Sequence, residues 1–176
     1  MVLYRASVLY QPSCQKLLKG NRLITIRKGS VADAPRVSEL LVSLSEEFIL
    51  ADFSEDGRSY FLSELAPEKM AERLSGDFQF LLAEDSGVLV GVAATYANTH
   101  LYYLFVSRSH QRRGLAKRLW TQVKENNRVA GTSIVFTVNA SNYAIQAYER
   151  LGFVLAGEAQ EVKGVIFNPM QCRVSG

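Results

Sequence analysis

Residues 100–120, HLYYLFVSRSHQRRGLAKRLW, constrain the fold more than any other stretch of the chain. An apolar run of strand length ends in a basic loop, and a run with helical periodicity (Ala116, Leu119, Trp120, Val123) begins directly behind it. A strand feeding a helix through a short loop must lay that helix on a sheet, which selects an α/β layer structure. The loop also leaves the first N–H groups of the helix unpaired at the positive end of its dipole, and Gly114 removes the Cβ that would hold an anion off the backbone. Seven bases and one acid, Glu125, lie from Arg108 to Arg128, a field suited to a multiply charged anion such as a pyrophosphate. The phosphate-loop patterns GxxxxGK[ST] and GxGxxG are both absent.

Around this unit, LITIRKG reads as a strand and SVADAPRVSELLVSLSEEFI as a helix with Val37, Leu40, Leu41, Leu44 and Phe48 on its apolar face. A second helical segment is expected near residues 58–75. FQFLLAED, GVLVGVAATYAN and HLYYLFVS then form three strands, the first two joined by the turn DSG. The helix of GLAKRLWTQVKENNRVAG is expected to end at Gly131, and TSIVFTVNA returns as a strand. SNYAIQAYERLG is a helix capped by Ser141 or Asn142, with Gly152 at its other end; FVLAGEAQE and GVIFNPMQCRV supply two last strands.

At 176 residues, 48% of them hydrophobic, the chain has material for one domain with a proper core. Cys14 and Cys172 lie at opposite ends with no CxxC spacing or His cluster, so neither a disulfide framework nor a metal site is expected, and a reducing cytoplasmic setting fits. No apolar run reaches membrane-spanning length. Six bases and no acid fall in residues 1–32, leaving fourteen bases against seventeen acids in the rest. These N-terminal bases are scattered and not interleaved with stacking aromatics, so residues 1–22 read as a basic extension, and no nucleic-acid or membrane partner is expected.

The order of strand, Gln111-Arg112-Arg113-Gly114-Leu115-Ala116, helix, strand and NASNYAIQAYERLGF resembles the GNAT superfamily of acetyl-CoA-dependent N-acetyltransferases, whose loop is written [QR]xxGx[GA]. The resemblance extends over residues 23–174, and the domain is taken as 23–176. It implies a mixed, mostly antiparallel sheet of six to seven strands, splayed at its centre and flanked by about four helices, with acetyl-CoA as co-substrate and no metal. By the same resemblance, backbone groups of Leu104, Phe105 and Val106 line pantetheine and the acetyl carbonyl. Gln111, Arg112, Arg113, Gly114, Leu115, Ala116 and Lys117 hold the pyrophosphate, while Asn139, Ser141 and Asn142 touch pantetheine. The ending EVKGVIFNPMQCRV is similar to a family branch with a Gly-x-x-Phe-x-Pro-Met closing strand.

Acetyl transfer needs a neutral amine and a proton donor for the departing thiolate. The resemblance gives Tyr148 of AYERLGF the donor role. His100, which precedes Gln111 by the interval of the family's glutamate base, is the candidate base, with a side chain expected on the same side as Tyr102, Leu104 and Val106. Glu84, Glu158, Glu161 and a water relay are the alternatives, and His110 in the loop reads as exposed or touching cofactor. Residues 33–85 hold thirteen acids and four bases, which suits a small-molecule or peptide acceptor with a cationic amine. A homodimer is compatible with the family, and a non-catalytic acyl-CoA sensor is the competing function.

Overall fold

The structure, a computed structural model, describes residues 24–175. The basic extension, residues 1–22, and Cys14 lie outside the described residues. Eight strands form one sheet in the order β1-β2-β3-β4-β5-β8-β6, with β7 paired to β8. They are β1 (Ile24–Lys28), β2 (Phe78–Asp85), β3 (Val88–Tyr96), β4 (His100–Val106), β5 (Ile134–Ala140), β6 (Val154–Leu155), β7 (Gln160–Val162) and β8 (Val165–Val174). All pairings are antiparallel except β4 with β5. Five helices flank the sheet: α1 (Ala34–Phe48), α2 (Glu55–Glu64), α3 (Pro67–Ser75), α4 (Leu115–Asn126) and α5 (Ile145–Arg150). The mixed, single-domain α/β architecture is the expected one.

The extra strand and the extra helix have local causes. The expected helix at 58–75 is two, because Pro67 opens α3 and holds Ala66 before it in an extended conformation (ψ 148°). FVLAGEAQE is two short strands on either side of an exposed bend rather than one. α4 stops before Gly131: the Asn127 side chain donates to Val123 O at 2.9 Å and caps the helix, while Gly131, at φ +72°, serves the turn into β5. Ahead of α5, residues Asn142–Ala144 form a single 3-10 turn with Ser141 as its cap residue.

Two cores sandwich the sheet. Leu115, Leu119, Trp120, Phe136, Tyr148, Phe153 and Met170 fill one face beneath α4 and α5; Val37, Leu41, Met70, Phe80, Leu82 and Tyr103 fill the other beneath α1 and α3. Trp120 packs against both Phe136 and Phe153, and its indole N–H donates to Leu151 O at 3.1 Å, tying α4 to the end of α5. At the β1 edge, Arg27 donates to Asp33 at 2.6 Å and to Glu84 at 2.8 Å, holding both carboxyls below the usual range.

α2 is buttoned to the β7–β8 turn through two glycines. Ser54 N–H donates to Gly164 O at 3.2 Å, and a Cβ on Gly57 would sit 2.1 Å from that carbonyl oxygen. Gly57→Ala is therefore expected to lower stability by about 1–3 kcal/mol despite alanine's better helix propensity. Urea denaturation checks this; an unchanged midpoint would mean that α2 does not pack here.

Candidate active site

The central strands separate. β4 and β5 pair in register only at His100 with Thr137, supplemented by Thr137 N–H to Thr99 O at 3.0 Å. Beyond that point β5 is held by β8 and β4 by β3, so the β5-facing backbone of Leu104, Phe105 and Val106 has no strand partner. A bulge helps to divide them: Thr95 opposes Leu101 and Ala94 opposes Tyr103, leaving Tyr102 as the extra residue on β4.

The bulge also reverses the alternation of side chains. Leu101, Leu104 and Val106 join the core beneath α4 and α5, whereas Tyr103 and Phe105 join the opposite core. His100 shares a side with Tyr102, as expected, their rings 5.8 Å apart, but not with Leu104 and Val106. Strict alternation predicted one common face, and the inserted residue breaks it.

At the open end, a 3-10 turn (Arg108–His110) leads into the basic loop. Arg112 and Gly114 both have positive φ, +59° and +80°, and Gly114 caps α4 with open space where a Cβ would stand. Arg112, Arg113, Gly114 and Lys117 are exposed, Ala116 is half-buried, and Leu115 sends its side chain into the core. The helix N-terminus is thus anchored from below and bare above. An open groove of about 560 Å³ continues from Arg113 and Gly114 along Lys117, Arg118 and Thr121. Gln111 has a different position: its amide donates to Val106 O at 3.0 Å, capping the end of β4.

Across the opening, β5 delivers Ser141, whose hydroxyl has no partner among the described residues, and Asn139, exposed on the face of Thr137. Asn142 is engaged, donating to Asp52 at 3.0 Å and accepting from Asn168 at 2.9 Å. The segment joining α1 to α2 crosses this end of the sheet. With the last turn of α1 it is tied to the basic loop through Glu47 and Arg108, and to the 3-10 turn after β5 through the stacked rings of Phe48 and Tyr143 (4.8 Å) and through Asp52 and Asn142. Two of the acids expected to attract an acceptor, Glu47 and Asp52, are therefore occupied in structural contacts.

Tyr148 projects from α5 into the α4–α5 core, its ring edge-on to Phe153 at 5.4 Å. Its hydroxyl bonds to no described residue. Burial of the ring pushes the phenol well above its ordinary pKa and keeps it protonated. His100 lies at the closed end of the split, half-buried, with Nδ1 2.8 Å from Thr137 Oγ1; burial pushes its imidazole down. The two candidates thus stand on opposite faces of the sheet. Of the alternative bases, Glu84 is held by Arg27 and Arg36 at the far edge, and Glu158 and Glu161 are exposed toward the β7 edge.

His110, expected to be exposed or to touch cofactor, is not exposed: it is buried against Asp85. Among the described residues no cluster of His, Cys, Asp or Glu could hold a metal ion, and no helix is long and apolar enough to cross a membrane.

A family model described as an acetyltransferase (GNAT) domain matches residues 49–174, most of the chain. The chain belongs to the GNAT acetyltransferase family. Solved structures share the fold at low identity. A GCN5-related N-acetyltransferase from Rhodopseudomonas palustris is 23% identical with a TM-score of 0.73, the match covering 88% of this chain and 100% of that one. PaiA N-acetyltransferase from Thermoplasma acidophilum, solved with coenzyme A, is 18% identical with a TM-score of 0.71, covering 86% and 99%. An aminoglycoside 6'-N-acetyltransferase, also complexed with coenzyme A, is 14% identical with a TM-score of 0.60, covering 85% and 96%. No curated protein matches the chain. In this GNAT acetyltransferase, the divergence of β4 from β5 and the bare N-terminus of α4 are the features that fit a long, phosphorylated co-substrate.

Proposed function

We propose that the protein is an N-acetyltransferase that moves the acetyl group of acetyl-CoA to a primary amine by direct attack in a ternary complex. The observation that carries this reading is the split between β4 and β5, with the phosphate-type loop at its open end and, on one side, the Tyr148 hydroxyl, which bonds to no described residue. The pyrophosphate rests on the N–H groups from Arg112 to Ala116, with Arg113 and Lys117 alongside. Pantetheine continues the sheet in the gap, along the β4 backbone of Leu104, Phe105 and Val106 that β5 leaves without a strand partner, with Ser141 and Asn139 across from them. Gln111 supports the loop through Val106 rather than touching phosphate, and Asn142 ties Asp52 to β8.

The amine nitrogen attacks the thioester carbonyl, and charge grows on its oxygen against backbone N–H groups of β4 that need no reorganisation. As the C–S bond breaks, Tyr148 gives its proton to the thiolate; its raised pKa keeps that proton available through alkaline pH. The acceptor approaches from the face of His100, which removes the amine proton directly or through water. Residues 23–176 constitute the catalytic domain in this reading, preceded by the basic extension, and the setting is cytoplasmic.

The amine's own titration gives log kcat/KM a slope of one at acid pH. A neutral imidazole base steepens it to two below a pH that burial of His100 sets under 6.5. His100→Gln is expected to retain the slope of one and to lose about tenfold in rate at neutral pH. Identical profiles for the two proteins would assign the proton to water alone.

Free-thiol release from acetyl-CoA across a panel of primary amines tests the function itself. Amine-dependent release supports the transferase; tight binding without release by any amine indicates a non-catalytic acyl-CoA sensor.

A further inference from the structure

No step above uses the buried pair of His110 and Asp85. His110 ends the turn before Gln111; its side chain is 11% exposed, and Nε2 lies 3.0 Å from Oδ2 of Asp85, itself 5% exposed at the end of β2. On the other side of the ring, Nδ1 is 2.8 Å from Ser109 Oγ and 3.0 Å from Ser107 Oγ. In the neutral ring Nε2–H donates to the carboxylate and Nδ1 accepts a serine hydroxyl; in the imidazolium both nitrogens donate. Either way the ring is held at both ends. Ser107 N–H also donates to Val90 O at 2.9 Å, and Ser86 Oγ donates to Asp85 Oδ1 at 3.1 Å, so the ring is joined to the β2–β3 hairpin through Asp85 on one side and Ser107 on the other.

We propose that His110 is a positioning residue, fixing the turn that precedes the basic loop to the β2–β3 hairpin so that the loop's N–H groups are aimed before an anion arrives. The inference rests on reading that loop as the pyrophosphate site. A loop containing two positive-φ residues has no regular hydrogen-bond ladder to hold it, and the exposed side chains of Arg112 and Arg113 do not anchor it. A clamp just upstream moves the ordering of the loop from binding into folding, which raises affinity for the anion. With both nitrogens engaged and the ring buried, His110 itself touches no substrate.

The test reads hydrogen exchange at residues 107–116 of the unliganded full chain together with calorimetric titration by coenzyme A. His110→Phe keeps a ring of similar size and loses every bond; His110→Gln returns an amide donor toward Asp85. The Phe variant is expected to exchange faster at 107–116 but not in β5 or β8, to bind coenzyme A about tenfold more weakly, and to raise KM for acetyl-CoA with kcat held. The Gln variant is expected to recover most of each change. Unaltered exchange in the Phe variant, or weakened binding that Gln does not restore, overturns the proposal. Should the Phe variant not fold, the double variant Ser107→Ala, Ser109→Ala removes the Nδ1 partners and leaves Asp85 bonded to His110. Its exchange should rise in the same window, and wild-type exchange there refutes the clamp. If the wild-type chain does not bind coenzyme A, the pyrophosphate reading of the loop falls, while exchange still decides whether His110 orders it.

Discussion

Tyr148→Phe is expected to lower turnover about a hundredfold while leaving affinity for acetyl-CoA nearly unchanged. The ring supplies packing against Phe153 in the α4–α5 core, and phenylalanine keeps that ring. The hydroxyl supplies no bond to any described residue, so the fold loses nothing measurable when it goes. In the proposed mechanism, what disappears is a proton donor that burial keeps protonated, and with it assistance to the departing thiolate. The wild-type enzyme should show no alkaline loss of kcat through the ordinary tyrosine range, near pH 10. Steady-state kinetics beside calorimetric binding check the separation; an equal loss in both would make Tyr148 a structural residue.

Gly114→Val is expected to do the reverse, weakening acetyl-CoA binding by about 10–100-fold, roughly the worth of one charge-assisted hydrogen bond. A side chain here would meet nothing within the protein, so the loss comes from holding the phosphate off the backbone rather than from an internal clash. Valine also strains a left-handed position, φ +80°, at a cost of about 1–2 kcal/mol in stability. Gly114→Asn separates the two effects, because asparagine tolerates positive φ yet still carries a side chain. If Asn binds acetyl-CoA as well as glycine does, backbone strain and not obstruction explains the valine variant.

The layered fold was legible because apolar alternation, helical periodicity and turn residues agree along most of the chain: the DSG turn appears with Ser86 and Gly87 at positive φ between β2 and β3. The break at Pro67 was also written in the sequence, as a residue that forces its predecessor out of a helix. The bulge at Tyr102 was not, since an inserted residue leaves no mark in a run as apolar as HLYYLFV, and it decides which side chains accompany His100. The burial of His110 went unread for a similar reason. Its partner, Asp85, is 25 residues away, and nothing local in SRSHQRRG distinguishes a buried histidine from an exposed one. The same distance hid the engagement of Asn142 by Asp52, whereas the turn at Gly114 and the place of Tyr148 on a helix were legible in the motifs around them.

Titration of the full chain with acetyl-CoA, followed by primary amines while free thiol is monitored, tests the central claim most directly. The account predicts saturable binding, weakened by Gly114→Val, and amine-dependent thiol release, slowed by Tyr148→Phe. No binding of acetyl-CoA to the wild-type chain would contradict it.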